Sequence, residues 1–187
     1  MSLLDIHVLG SPVLRTETTP VATVNEDLHR LVEDMFETMH AAQGIGLAAP
    51  QVGRLERVAV VQVENERLVL INPGIIAETG QDRAEEGCLS IPDIYGDVDR
   101  AARVTLRAMD LDGTVYEREA GELLARAIQH EIDHLHGKLF IDYLSFLKRR
   151  GALARWESLK DQYPGMRRVL TAAAMPVVDK AHEDEIL

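Results

Sequence analysis

The sequence predicts an α+β fold in which mixed or antiparallel strands surround a central helix, with one helix N-terminal and another C-terminal to it. Three patterns support this prediction. Apolar residues recur at helical spacing between residues 25 and 42, β-branched residues are concentrated between residues 57 and about 118, and two more helical stretches follow at about 122–136 and 145–160. Strands in the middle of the chain with helices around them are typical of one α+β domain.

The first helix, residues 25–42, has a recognisable start and one apolar face. Asn25 suits the N-cap, and Glu26 and Asp27 suit the positive end of the helix dipole. Gly44 favours termination of the helix. The apolar face consists of Leu28, Leu31, Val32, Met35 and Met39.

The middle of the chain alternates between β-forming runs and turn signals. Asp110-Leu111-Asp112-Gly113 has the composition of a hairpin connection, and Asn72-Pro73-Gly74 has that of a second turn. The predicted strands are Arg57–Val63, Arg67–Ile71, Arg103–Met109 and Thr114–Glu119.

The helix at about 122–136 is followed by Gly137, which suits a helix C-terminus. We expect a single domain over residues 1–164 and a C-terminal tail over residues 165–187, because the end of the chain is highly charged.

Composition excludes several classes of protein. One cysteine, Cys88, cannot form an internal disulfide, and a net charge of −11 argues against nucleic-acid binding by the chain itself. The N-terminus lacks a basic segment followed by an apolar one, and no apolar run approaches the ~20 residues that span a membrane. We therefore expect a cytoplasmic protein that does not bind membranes.

His130 and His134 lie four residues apart on the central helix, so they project from the same face. Leu123 and Ala127 precede them on that face, where unpaired imidazoles would be costly. Two histidines at this spacing can bind one metal ion, and Glu131, about 100° round the helix, can act on a bound water. The pattern predicts a metal-dependent hydrolase, although His-Glu-x-x-His also arises by chance.

A catalytic metal of the zinc type needs a third protein ligand. Cys88, in the segment Glu86-Gly87-Cys88-Leu89-Ser90, is the best candidate, although a lone cysteine is more often a small buried apolar residue. The segment 44–51, Gly-Ile-Gly-Leu-Ala-Ala-Pro-Gln, lacks the features of a phosphate-binding loop. Gln51 can donate to a developing oxyanion, but a packing turn with a solvent-facing glutamine is the better explanation of this segment in isolation.

These three segments, taken in order, resemble peptide deformylase. That family carries Gly-x-Gly-x-Ala-Ala-x-Gln, then Glu-Gly-Cys-Leu-Ser, then His-Glu-x-x-His, and the chain matches each motif without a gap. Ile91-Pro92, Lys138-Leu139-Phe140 and Asp142-Tyr143-Leu144 also match, so the resemblance covers residues from about 5 to 150.

The resemblance implies that the chain removes the formyl group from the N-terminal formyl-methionine of newly made polypeptides. It implies Fe(II) as the metal, with zinc or nickel as substitutes, and the ribosome as a further partner. It makes Cys88, His130 and His134 the metal ligands and Glu131 the general acid and base. Gln51 and the backbone N–H of Leu89 would form the oxyanion site.

The same resemblance implies a substrate-binding set whose members surround these motifs. We expect it to include Gly44, Ile45, Gly46, Glu86, Gly87, Leu123 and Ala127. Asp133 needs a partner if it is buried, and Arg100 or Arg103 is expected to supply it.

Two alternatives remain open. A zincin-type endopeptidase would also use His-Glu-x-x-His, but it needs a third His or Glu downstream; His136 is too close along the helix, and His182 lies in the predicted tail. A protein that only binds nascent chains or ribosomes is disfavoured by the full set of chemical residues.

Overall fold

The computed structural model describes residues 2–170, which form three α-helices, five short 3-10 helices and nine strands. The α-helices are α1 (Glu26–Ala41), α2 (Glu122–Leu135) and α3 (Phe146–Leu159). The strands are β1 (Ile6–His7), β2 (Gly46–Ala48), β3 (Val58–Val63), β4 (Glu66–Thr79), β5 (Asp82–Cys88), β6 (Ile91–Arg100), β7 (Arg103–Met109), β8 (Val115–Gly121) and β9 (Arg167–Arg168).

A five-stranded antiparallel sheet, in the order β2-β3-β4-β7-β8, forms the centre of the fold. Strand β3 shows how the helices cover it. Val58 and Val60 belong to one buried cluster with the apolar face of α1, whereas Ala59 and Val61 belong to another with Ile128 of α2. Successive side chains of a strand point to opposite faces, so α1 and α2 pack on opposite faces of the sheet. The α+β prediction, with strands around a central helix, is confirmed.

The prediction for α1 is also confirmed. The Asn25 side chain accepts a hydrogen bond from the Leu28 N–H at 2.9 Å, which caps the first turn. All five residues of the predicted apolar face are buried. The predicted strands correspond to β3, β7, β8 and the first part of β4.

The predicted turn at Asn72-Pro73-Gly74 is wrong, because β4 continues through it. The register against β7 shifts between Ile71 and Gly74, so these residues form a bulge. Asn72 has a φ of 50°, which asparagine tolerates better than most residues. Its side chain accepts from the Val21 N–H and donates to the Val21 carbonyl, each at 2.8 Å, so the bulge ties the N-terminal segment to the sheet.

Strands β5 and β6 form a separate two-stranded hairpin that the sequence analysis did not assign. Its turn lies between Cys88 and Ile91, so the cysteine ends one strand at a fixed position. Within the predicted tail, β9 pairs with β1, and residues 171–187 lie outside the described part of the chain. No helix between residues 2 and 170 is long and apolar enough to cross a membrane.

Gly137 ends the α2 segment as predicted and fixes where the chain turns. Its φ is 68°, a conformation that favours glycine. A Cβ at this position would lie 2.8 Å from the Arg15 carbonyl oxygen, so the N-terminal segment packs directly on the turn after α2.

We predict that Gly137→Ala lowers the free energy of unfolding more than Gly113→Ala does. Both glycines have positive φ, which costs a side-chain-bearing residue ~1–2 kcal/mol, but a Cβ at Gly113 would meet no atom within 4 Å. The contact with Arg15 should bring the loss for Gly137→Ala to about 3 kcal/mol. Urea denaturation of both variants measures the difference, and equal losses would contradict the steric argument.

Candidate metal centre and active site

Three potential metal ligands converge where the end of β5 meets α2. Cys88 is the last residue of β5, and His130 and His134 occupy one face of α2. His134 Nε2 lies 3.2 Å from His130 Nε2 and 3.3 Å from Cys88 Sγ. The ligand atoms of the three residues all lie within 4.8 Å of one another. The structure therefore brings together the three residues that the motifs predicted as ligands.

This donor set fits a divalent metal ion. Nitrogen and sulfur ligands of a tetrahedral site lie ~2.0–2.3 Å from the metal, which places neighbouring ligand atoms roughly 3.3–3.7 Å apart. The two distances from His134 Nε2, 3.2 and 3.3 Å, lie near the lower end of that spacing. One thiol and two imidazoles leave a fourth position for water or substrate, as catalytic sites require.

A buried carboxylate, that of Glu86, orients one of the histidines. His130 Nδ1 donates to Glu86 Oε2 at 3.0 Å, which leaves Nε2 to face His134. Burial alone would raise the pKa of Glu86, but hydrogen bonds from Arg100 and His130 lower it to about 2. Glu86 therefore stays ionised.

Burial lowers the pKa of His134 well below its usual value. Burial opposes charge on His130 as well, but there the Cys88 thiol and Glu86 outweigh it and raise the pKa. Two histidines on one helix face thus differ in protonation behaviour, because contacts with Cys88 and Glu86 offset the burial of His130 but not that of His134.

Two arginines complete the network around Glu86. Arg100 donates to both oxygens, at 2.8 and 2.9 Å, and Arg126 donates to Oε1 at 2.7 Å. Arg100 also forms an ion pair with Asp133, which accepts a hydrogen bond from the Tyr143 hydroxyl. Of the two partners predicted for Asp133, Arg100 is correct.

Arg103 was the other predicted partner of Asp133. It is exposed in β7, where the Cγ and guanidinium atoms of its side chain lie 3.8–3.9 Å from where a Gly121 Cβ would be.

Glu131 is buried beside the three potential ligands with one oxygen unpaired. It is 4% exposed, and no described residue hydrogen-bonds to its Oε2. Burial raises the pKa of this carboxyl to about 7, although His130 opposes the shift. A Cβ on Gly46 would lie 2.2 Å from Glu131 Oε1, so only glycine at position 46 leaves room for the carboxylate.

Gln51 is held so that its amide nitrogen faces the same site. Its Oε1 accepts from the Ala48 N–H at 2.8 Å, which determines the orientation of the amide. Nε2 then donates to Ser90 Oγ at 3.2 Å and lies 3.7 Å from Cys88 Sγ. A fixed donor next to the ligand group is suited to a developing negative charge.

One cleft of about 480 Å³ connects these groups with all of the predicted substrate-binding residues. Twelve of the thirteen predicted site residues line it, and the other, His134, lies among the ligands. The twelve are Gly44, Ile45, Gly46, Gln51, Glu86, Gly87, Cys88, Leu89, Leu123, Ala127, His130 and Glu131.

Sequence reasoning missed two residues that shape the site, Arg126 and Ser90. Arg126 lines the cleft and is buried through contacts with Glu86 and Asp82. Ser90 accepts from Gln51. Arg126 could have been noticed, because a charged residue there stands between two apolar positions of the helix. Its partners Glu86 and Asp82, however, lie in the β5–β6 hairpin, which was not predicted.

Comparison with known proteins agrees with the geometry. The profile of the polypeptide deformylase family matches residues 3–150. A peptide deformylase from Alkalilimnicola ehrlichii is 52% identical over 166 residues, covering 87% of this chain and 93% of that protein.

Solved structures give the same result. A peptide deformylase from Legionella pneumophila is 43% identical with a TM-score of 0.83, over 86% of this chain and 97% of that one. A peptide deformylase from Ehrlichia chaffeensis in complex with actinonin is 37% identical, also with a TM-score of 0.83, over 88% and 99%. This chain belongs to the peptide deformylase family, metal-dependent hydrolases that remove the formyl group from the N-terminal formyl-methionine of newly made polypeptides.

Proposed function

We propose that Cys88, His130 and His134 hold one metal ion and that Glu131 transfers protons during deformylation. The observation that supports this most directly is the convergence of three donor atoms next to a buried carboxylate with an unpaired oxygen. When bound, the metal supplies Lewis acidity and an activated water molecule.

Glu131 moves the protons. Its raised pKa, about 7, suits a group that must accept a proton and later release it near neutral pH. It takes the proton of the attacking water through the unpaired oxygen and returns it to the nitrogen of the leaving amine. Gly46 has no side chain and therefore leaves free the space that the Glu131 carboxylate occupies.

Gln51 and Leu89 bind the formyl oxygen as negative charge develops on it. Gln51 Nε2 is fixed by the contact between its own Oε1 and the Ala48 N–H, and the backbone N–H of Leu89 follows the ligand Cys88. In other enzymes the loss of one such donor costs on the order of 10²–10³ in rate.

The methionine side chain occupies the part of the cleft bordered by Ile45, Leu123 and Ala127. Leu123 and Ala127 lie one helical turn apart on the face of α2 that carries His130, and all three residues line the cleft. Gly44, Gly46 and Gly87 allow the substrate backbone to approach closely. Glu86 borders the cleft too, but both of its oxygens are engaged, so it orients His130.

Fe(II) is the physiological metal in this proposal, and zinc or nickel can substitute for it. A ligand set with one thiolate and two imidazoles accepts all three. A thiolate next to a ferrous ion is also open to oxidation, so activity should be lost in air. Elemental analysis of anaerobically purified protein distinguishes these metals.

The enzyme acts in the cytoplasm on nascent chains, and residues 1–164 form a single catalytic domain. It also contacts the ribosome. The start of α3 carries three cations, Lys148, Arg149 and Arg150, of which Lys148 pairs with Asp97 and Arg149 with Asp142, whereas the whole chain has a net charge of −11. Such a cluster suits a surface rich in phosphate. Cosedimentation with ribosomes that weakens as salt concentration rises tests this contact.

The endopeptidase alternative is disfavoured because Cys88 takes the place that a third His or Glu would occupy. A formyl-methionyl peptide with an intact internal peptide bond separates the two activities. Release of formate without shorter fragments supports deformylation, and internal cleavage supports the alternative.

We predict that Glu131→Gln lowers kcat for a formyl-methionyl peptide by about 10²–10⁴, because the amide cannot accept the proton. Metal content should stay the same, since Glu131 is not one of the three ligands. Glu119→Gln, at an exposed position in β8, is the matched control and should behave as wild type. Near-native kcat in Glu131→Gln would remove Glu131 from the mechanism.

A further inference from the structure

A second groove continues the active-site cleft. It has a volume of about 440 Å³ and lies between the β5–β6 hairpin and α3. Glu85, Asp93 and Tyr95 line both the cleft and this groove, which we call the α3 groove. A ligand leaving the cleft past these residues therefore enters the α3 groove directly.

One face of α3 forms the helical wall of this groove. Lys148, Gly151, Ala152 and Arg155 line it, and their spacing places them on a single face. Gly151 is unusual there, because glycine inside a helix costs about 1 kcal/mol relative to alanine. A Cβ at this position would meet no atom within 4 Å, so packing does not require glycine, and the wall stays open at that point.

The hairpin wall carries charge of the opposite sign. Glu85, Asp93 and Asp97 face the two cations of α3, and Lys148 Nζ lies 2.9 Å from Asp97 Oδ2. A groove with both signs of charge favours neither acidic nor basic ligands. Such a surface suits polypeptides of many different sequences.

Strand β6 offers backbone groups that can bind a polypeptide regardless of the sequence of that polypeptide. Residues 93–97 of this strand line the groove, and within the described sheets β6 pairs only with β5. A strand with one unpaired edge can hydrogen-bond to an extended backbone regardless of its side chains.

Tyr95 stands where the cleft and the α3 groove meet. Its side chain is 63% exposed, and a Cβ on Gly87 would lie 2.7 Å from its ring. The ring thus rests on a glycine of the cleft and presents apolar surface to solvent. Exposed aromatic rings of this kind are enriched where proteins bind other chains.

We propose that the α3 groove binds the downstream part of the polypeptide substrate, beyond the residues held in the cleft. The inference rests on the proposed function, because the formyl end must reach Glu131 while the rest of the polypeptide leaves the cleft. Continuity with the cleft, mixed charge and an unpaired strand edge all suit this occupant. An extended dipeptide spans only ~7 Å, whereas an octapeptide spans ~27 Å and can reach both sites.

The test compares kcat/KM for formyl-Met-Ala and for a formyl-methionyl octapeptide. The wild type should prefer the octapeptide. Gly151→Phe fills the groove at its open point, and should lower kcat/KM for the octapeptide by about tenfold while leaving formyl-Met-Ala unchanged. Gly151→Gln, a smaller obstruction, should give an intermediate loss for the octapeptide.

Ala154→Phe is the matched control, because Ala154 is exposed on the same helix and does not line the groove. It should affect neither substrate. Equal wild-type values for the two substrates, no loss for the octapeptide, or equal losses for both in Gly151→Phe would overturn the inference. Absence of formate release from both substrates by the wild type would instead contradict the proposed function.

Discussion

The buried carboxylate of Glu86 links the three parts of the protein that form the site. It contacts His130 and Arg126 of α2 and Arg100 of β6 from its own position in β5. Removing one partner of a buried ion pair typically costs ~3–5 kcal/mol, so this network holds the hairpin against the central helix. Because Glu86 uses Nδ1 of His130, the other ring nitrogen faces His134. The arrangement of the three potential metal ligands therefore depends on Glu86, although Glu86 is not one of them.

Two buried carboxylates close to each other acquire opposite properties from their partners. Glu86 receives hydrogen bonds from two arginines and a histidine, and its pKa falls to about 2. Glu131 is equally buried but lacks a described partner for one oxygen, and its pKa rises to about 7. The surroundings of the two carboxylates thus keep Glu86 charged, which suits a structural role, and leave Glu131 able to exchange a proton.

The sequence predicted the local features well and the tertiary ones poorly. Helical spacing was enough to place His130 and His134 on one face, and the Asn25 cap and Gly137 terminus are local signals. Asn72 was mistaken for a turn because its positive φ serves a bulge that is held by a residue about 50 positions away. The β5–β6 hairpin and the partners of Arg126 depend on pairing between segments that are separated in the sequence. Local sequence patterns do not predict such pairing. Cys88 was chosen as the candidate third ligand from its chemistry and from resemblance to a family, because spacing along the chain could not place a residue of β5 beside α2.

The proposed metal centre holds one metal ion through one sulfur and two nitrogen atoms of this chain. X-ray absorption spectroscopy of anaerobically purified protein measures the ligand set directly. Wild-type protein should contain about one iron per chain with one sulfur scatterer, which is lost together with most of the metal in Cys88→Ala. A full complement of metal without a sulfur ligand, or a metal content unchanged in Cys88→Ala, would contradict the assignment.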